Sequence, residues 1–267
     1  MKGTATVKAK SYHALSSLSL AVMLAAPAAY AGQELREEIH KEYPFDKSGK
    51  VSLENANGNV HIQTWDRDEV KVDAVKRGKN QEQLDAVKIE IDAKTDHIRI
   101  KTKYPDSKKQ KSDSTSVDYT LTVPRQSNLA KINAVNGGIE IENVTGNVEA
   151  NSVNGPVTAS GLKGEVTLSS VNGPIKAGFA AINRAISLKS VNGGVIVTVP
   201  AEADADISAS SVNGGVSTDF SLETKKHFPV GRNLEGKLGK GGPAIKLSSV
   251  NGAIRIDRSK TVALENQ

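Results

Sequence analysis

The feature that most restricts the fold is a recurring tripeptide. Val-Asn-Gly occurs six times, ending in Asn136-Gly137, Asn154-Gly155, Asn172-Gly173, Asn192-Gly193, Asn213-Gly214 and Asn251-Gly252. A degenerate seventh copy is Ala56-Asn57-Gly58. Gly137, Gly146, Gly155, Gly164 and Gly173 are each nine residues apart, which resolves the middle of the chain into the nonads GGIEIENVT, GNVEANSVN, GPVTASGLK and GEVTLSSVN. Apolar residues at the third and fifth places of a nonad lie on one side of an extended strand, because strand side chains alternate. The density of Gly, Asn, Ser and Val disfavours helix. Later copies keep the pattern with insertions: Arg184–Leu188, Ala205–Ala209 and Pro243–Leu247 each run into Ser-Val-Asn-Gly.

Asn followed by Gly supplies two residues tolerant of positive φ, so each strand is expected to end in a tight turn. Two nonads then make an 18-residue unit of two short strands and two corners. Stacked in parallel, such units form a β-solenoid in which Val lies over Val and Asn over Asn. Joined as hairpins, they form an antiparallel meander, for which Asn-Gly is equally a signal. Small, uniform core positions favour the solenoid, and no helical layer is visible to cover a meander's second face. The expected class is all-β: a parallel β-solenoid or β-helix of 9- and 18-residue repeats, preceded by a smaller region of paired strands.

Four segments follow. Residues 1–31 read as an export signal: Lys2, Lys8 and Lys10 precede an apolar stretch from Ala14 to Ala26 and the small-x-small site Ala29-Tyr30-Ala31. No cysteine occurs anywhere, which removes disulfides, thiol nucleophiles and thiolate metal sites. Residues 32–127 form an N-terminal β region that contains the first repeat unit, VSLENANGNVHI, a helical turn over Asn80–Ala86 and a Lys/Ser/Asp-rich loop from Tyr104 to Ser116. This region is expected to cover the first edge of the array. Residues 128–258 hold the array, and 259–267 are a polar tail. The whole chain of 267 residues has a formal charge of +5, but three of those units sit in the signal, so the remaining body is nearly balanced and gives no basis for a nucleic-acid partner.

The exported start, the strand-NGxV-strand unit followed by Trp65-Asp66-Arg67-Asp68-Glu69-Val70, a strand ending in Val123-Pro124 and the serial NGxI units resemble a bacterial β-strand-repeat putative adhesin family of unknown function, related to Gly-Ile-Asn-type adhesin head domains. The resemblance covers roughly Glu42 to Arg258 and implies a β-helical module associated with the cell envelope. It implies no catalytic residues.

The residues themselves offer little chemistry. His40, His61, His97 and His227 are scattered without metal-ligand spacing. The repeated serines beside Val-Asn suit corner hydroxyls that bond to backbone, and no Gly-x-Ser-x-Gly occurs. A calcium β-roll requires Asp at the sixth place of the nonad, where this chain has Glu142, Asn151, Ser160 and Ser169. Gly231–Leu238 has the spacing of a phosphate-binding loop, but Leu238 replaces the magnesium-binding hydroxyl, and a flexible insertion is the expected state. No cofactor is indicated. A polysaccharide-processing β-helix enzyme, the alternative, would have to draw on Asp204, Asp206 and Asp219, with Trp65 as the sole tryptophan platform.

Two basic clusters remain. One comprises Lys101, Lys103, Lys108, Lys109 and Lys111; the other is a candidate anionic-ligand loop with Lys225, Lys226, Arg232, Lys237 and Lys240. Such clusters suit an anionic glycan, lipopolysaccharide or an acidic envelope protein. The expected role is therefore a non-enzymatic, adhesin-like binding or scaffold module, periplasmic or extracellular. Charge at Asp257-Arg258-Ser259-Lys260 argues against open self-association through a strand edge.

Overall fold

The computed structural model describes residues 34–105, 115–222, 224–226 and 231–259, with backbone alone for 224–226. Residues 1–31, expected above to be an export signal, lie outside the described residues, as do Lys108, Lys109, Lys111, His227 and the tail beyond Ser259.

In chain order the elements are β1 (Leu35–Pro44), β2 (Lys50–Asn57), β3 (Val60–Trp65), β4 (Glu69–Gly78), α1 (Gln81–Ala86), β5 (Lys88–Ala93), β6 (His97–Lys103), β7 (Ser116–Pro124) and β8 (Asn128–Asn136). The series continues with β9 (Ile139–Glu142), β10 (Val148–Ser152), β11 (Val157–Leu162), β12 (Val166–Ser170), β13 (Ile175–Phe179), β14 (Ile186–Ser190), β15 (Val195–Val199) and β16 (Ala205–Ser211). It ends with β17 (Val216–Thr218), β18 (Thr224–Lys226), β19 (Arg232–Leu238), β20 (Ala244–Ser249) and β21 (Ile254–Arg258). They form two sheets, one of ten strands and one of eleven, with a single core between them.

Through the middle of the chain successive strands alternate between the sheets, so each pair of strands makes one coil and neighbouring coils pair in parallel. Leu129, Val148, Val166, Ile186, Ile245 and Ile207 occupy one row of the eleven-stranded sheet. Ile139, Val157, Ile175, Val195, Ile254 and Val216 form the matching row of the other. All twelve are buried, and each is worth roughly 1.5–3 kcal/mol of transfer free energy. The parallel pairing excludes the antiparallel meander.

The N-terminal strands join the same two sheets. β2 pairs in parallel with β8 and β6, and β3 with β9 and β7, so these strands continue the stack. Only β1, β4 and β5 are antiparallel additions at that end. The anticipated helical turn is α1, whose N-cap Asn80 accepts from the Gln83 amide at 2.9 Å. Its Leu84 is fully buried, while the nearly buried Lys76 ammonium reaches both Glu37 oxygens at 3.1 Å and so keeps its charge paired. The outermost strand β1 exposes Arg36, Glu38, His40 and Glu42, charges that blunt the edge.

At the other end, chain order and stacking order part company. β20 lies between β14 and β16, and β21 between β15 and β17, so the last coil is inserted beneath the one before it. The flexible insertion expected around Gly231–Leu238 is instead the strand β19, antiparallel to β16 and joined to β18. Its backbone is extended and paired along β16, not wrapped as a phosphate-cradling loop would be.

Candidate functional site

Each Val-Asn-Gly forms the corner between the two sheets. At five of the six the preceding residue is a buried serine that donates its hydroxyl to a glycine carbonyl of the adjoining coil, Ser152 to Gly137, Ser170 to Gly155, Ser190 to Gly173, Ser249 to Gly193 and Ser211 to Gly252, at 2.8–3.0 Å, and at the sixth it is Ala134. In the first coil Asn55 takes that place and donates to Val117 O at 2.8 Å. The asparagines join in one ladder, each side-chain amide donating to the next Oδ1 at 2.7–2.8 Å, in the order Asn213, Asn251, Asn192, Asn172, Asn154, Asn136, Asn57.

The glycines are required for a different reason than turn conformation. Of the seven, only Gly58 has positive φ, at 112°. At Gly137, Gly155, Gly173, Gly193, Gly214 and Gly252 an added Cβ would stand 2.0–2.2 Å from the carbonyl oxygen of a glycine in the adjoining coil. Close stacking, not a left-handed turn, excludes a side chain there. The corner valines project outward: Val135, Val153, Val171 and Val212 are 39–46% exposed. The corner thus presents a valine ridge beside an amide ladder.

The basic residues of the candidate loop fall on the terminal strands of the eleven-stranded sheet. Arg232 and Lys237 are exposed on β19, opposite Ser211 and Asp206 of β16; Lys240 follows in a turn where its backbone amide donates to Asp204 Oδ1 at 2.7 Å. Lys225 and Lys226 lie on β18, with Lys226 opposite Arg232 in register. Of the other cluster, Lys101 and Lys103 are engaged by Glu54 at 3.5 Å and Glu90 at 2.6 Å.

A surface depression that the sequence reading missed lies at the opposite end of the same sheet. In β8 the pairing slips between Val51 and Ser52, so that Ala130 and Lys131 both point outward. This β-bulge opens a trough of about 510 Å³ lined by Asp46, Lys50, Ser52, His97, Arg99 and Ala130. A second depression of about 370 Å³ shares Lys50 and Ala130 and carries Glu149 and Glu165. The signal was present in Leu129-Ala130-Lys131-Ile132, where core residues are three apart in a period-two strand. Beside the trough, the hydrogen bond from Lys131 (2.8 Å) holds the Glu54 carboxyl below its ordinary range, and Lys101 adds to the effect.

The remaining candidates are dispersed. His40 meets Asp73 at 2.6 Å, a hydrogen bond that raises its pKa; His61 meets Glu140 at 3.3 Å, and His97 meets Asp96 at 3.0 Å. Among the described residues, no three His, Asp or Glu side chains are grouped to hold a metal ion. Asp206 lies on β16 and Asp204 just before it, whereas Asp219 follows β17 in the other sheet and accepts from the Arg258 amide at 3.2 Å. Trp65 donates to Glu69 O at 2.8 Å and has Arg67 stacked 5.0 Å from its ring centroid, so one ring face is already covered. Among the described residues no helix is long and apolar enough to cross a membrane.

No curated protein matches the chain. Among solved structures, a "putative cell adhesion protein" from Clostridium sporogenes ATCC 15579 is similar at 15% identity, covering 85% of this chain and 100% of that one, with a TM-score of 0.49. A "putative adhesin" from Bacteroides fragilis NCTC 9343 is similar at 15% identity over 84% and 97% of the two chains, with a TM-score of 0.35. A "putative lipid binding protein" from Parabacteroides distasonis ATCC 8503 shows 14% identity over 86% and 98%, with a TM-score of 0.32. The profile of the Toastrack family, DUF4097, matches residues 106–257, which include every Val-Asn-Gly corner. The chain therefore belongs to the Toastrack DUF4097 family.

Proposed function

We propose that the protein is an exported, non-enzymatic binding or scaffold module of the bacterial cell envelope, periplasmic or extracellular. In this reading residues 1–31 direct export, 32–127 close one end of the stack, 128–258 form the solenoid of paired nine-residue units, and 259–267 are a polar tail. The ligand class is anionic: an acidic glycan, lipopolysaccharide or an acidic envelope protein.

The observation that carries the reading is the placement of the β18–β19 hairpin. β19 is hydrogen-bonded onto β16 and β18 onto β19 as the last two strands of the eleven-stranded sheet, so the exposed Arg232 and Lys237 are held on a paired strand. Fixed cations on a rigid scaffold attract an extended polyanion without the ordering cost that a free loop would incur.

The test is retention of the purified protein on lipopolysaccharide and acidic glycans across a salt series, followed by a product assay on any retained glycan. Replacing Lys225, Lys226, Lys237 and Lys240 with Ser is expected to abolish the salt-sensitive retention. Unchanged retention overturns the hairpin as the site, and turnover of a retained glycan overturns the non-enzymatic reading.

A further inference from the structure

The inserted coil fills a slot whose two walls both precede it in the chain. β16 and β17 stand two strand spacings, roughly 10 Å, from β14 and β15, and β20 and β21 occupy the slot between them. The slot is bounded by Ile186 and Leu188 on one side and Ile207 and Ala209 on the other, with Val195 and Val216 in the second sheet.

Three coils share one template here. Ile186-x-Leu188-x-Ser190-Val191-Asn192-Gly193, Ile207-x-Ala209-x-Ser211-Val212-Asn213-Gly214 and Ile245-x-Leu247-x-Ser249-Val250-Asn251-Gly252 match position for position. What fits the slot is set by that template: a glycine without a Cβ beside Gly193 O, a serine to bond it, an asparagine to continue the ladder and aliphatic residues facing inward. Pro243–Arg258 carries the set with the larger core residues. Leu247 and Ile256 are buried where the β16–β17 coil offers Ala209 and Thr218, so the slot is filled by the larger of the two sets.

The inserted coil is tied to β19 through a crossing built for reversal. Gly239 and Gly241 have φ of 51° and 79°, the Gly241 amide donates to Leu238 O at 2.9 Å, and the chain passes from one side of β16 to the other. A self-complementary segment on a glycine hinge is the arrangement from which strand exchange between copies arises.

We propose that Pro243–Arg258 is an exchangeable coil, and that the slot between β14–β15 and β16–β17 takes up the same segment from a second copy. The chain has no native cysteine, so the neighbour relationship of Ser187 on β14 and Lys246 on β20 can be read directly. Both side chains are exposed, and parallel neighbours lie within disulfide reach.

Full-length Ser187→Cys and Lys246→Cys chains are mixed at high concentration, warmed toward unfolding, cooled and oxidised. Thr167→Cys mixed with Lys246→Cys is the control for random collision, since Thr167 neighbours Ser187 and not Lys246. Exchange predicts at least about tenfold more disulfide-linked dimer from the first mixture, because register places its two thiols side by side. The double variant Ser187→Cys/Lys246→Cys reports the same contact within one chain. Cross-linking in the double variant with no excess dimer over the control overturns exchange, and no cross-linking in either overturns the placement of β20 on which it rests.

Discussion

Asn251 donates its side-chain amide to Asn192 Oδ1 at 2.7 Å, across fifty-nine residues of chain. Asn213, which lies between them in sequence, instead donates to Asn251 at 2.8 Å from the far side. The ladder therefore follows the order of the stack and not the order of the chain. It also has a direction: every amide donates toward Asn57, so an interior rung both gives and receives a bond while Asn213, as the last donor, gives one.

That direction predicts unequal costs along one chemical series. Asn172→Ala removes two ladder bonds and Asn213→Ala one. These amides are exposed and water replaces the lost partner, so each bond is worth about 0.5–1.5 kcal/mol. Denaturant unfolding should show Asn172→Ala costing about twice as much as Asn213→Ala; equal costs would mean that the ladder bonds contribute nothing beyond local solvation.

Glycine substitutions should divide by stacking and not by turn conformation. Gly155→Ala places a Cβ 2.2 Å from Gly137 O, backbone against backbone, with no flexible side chain to give way. Gly215 has nothing within 4 Å of the same position. Gly155→Ala is expected to lose at least about 3 kcal/mol or fail to fold, while Gly215→Ala stays within about 0.5 kcal/mol. Thermal melts of the two variants check this, and a mild Gly155→Ala would show that the coils can separate locally without penalty.

How far the sequence could be read follows from the range of the interactions. The strand alternation, the Ser-Val-Asn-Gly corners and the helical turn after Asn80 are local patterns, and all appear in the structure. The glycine at Gly137 was legible as a requirement but not in its cause, because the atom it must avoid, Gly58 O, belongs to another coil. The fate of the corner valines is set at the same range. Val144 and Val171 hold the same place in their nonads, yet the first is buried and the second exposed, since alternate nonads turn opposite corners. The insertion of β20 was illegible because Ile245 and Ile207 carry the same template, so no local feature separates the inserted coil from the one before it. The trough at Ala130 left a trace in core spacing, whereas its lining from Lys50 and His97 required knowing that β2 and β6 are neighbours.

Glu54 should give a small acid-side contribution to stability. Its carboxyl is held below its ordinary value first by the hydrogen bond from Lys131, then by the charge of Lys131 and Lys101. A depressed folded-state pKa means that the contribution is present above the unfolded-state value and is lost as pH falls through the folded one. The side chain is 38% exposed, so screening limits the effect to about 1 kcal/mol or less. Glu54→Gln should melt slightly below the parent at pH 7, with the gap closing below the ordinary carboxylate range. A gap that persists at low pH would assign the loss to packing instead of charge.

The inserted coil makes a prediction that a stack in chain order would not. Ile254 is fully buried between Val195 and Val216, and Ile254→Ala should cost about 2–5 kcal/mol. In a stack whose coils touch only their neighbours, damage spreads from the weakened coil to whatever lies beyond it. Here β16 and β17 lie beyond it although they precede it in the chain, and β14 and β15 lie on its other side, anchored to the rest of the array. Hydrogen exchange of Ile254→Ala should therefore show β16, β17 and β19 losing protection together with β20 and β21, while β10 to β13 keep theirs. Were the coils stacked in the order of synthesis, β16 and β17 would sit on the protected side of the lesion and keep their slow amides, so continued protection of Ile207 and Ala209 would overturn the inserted arrangement.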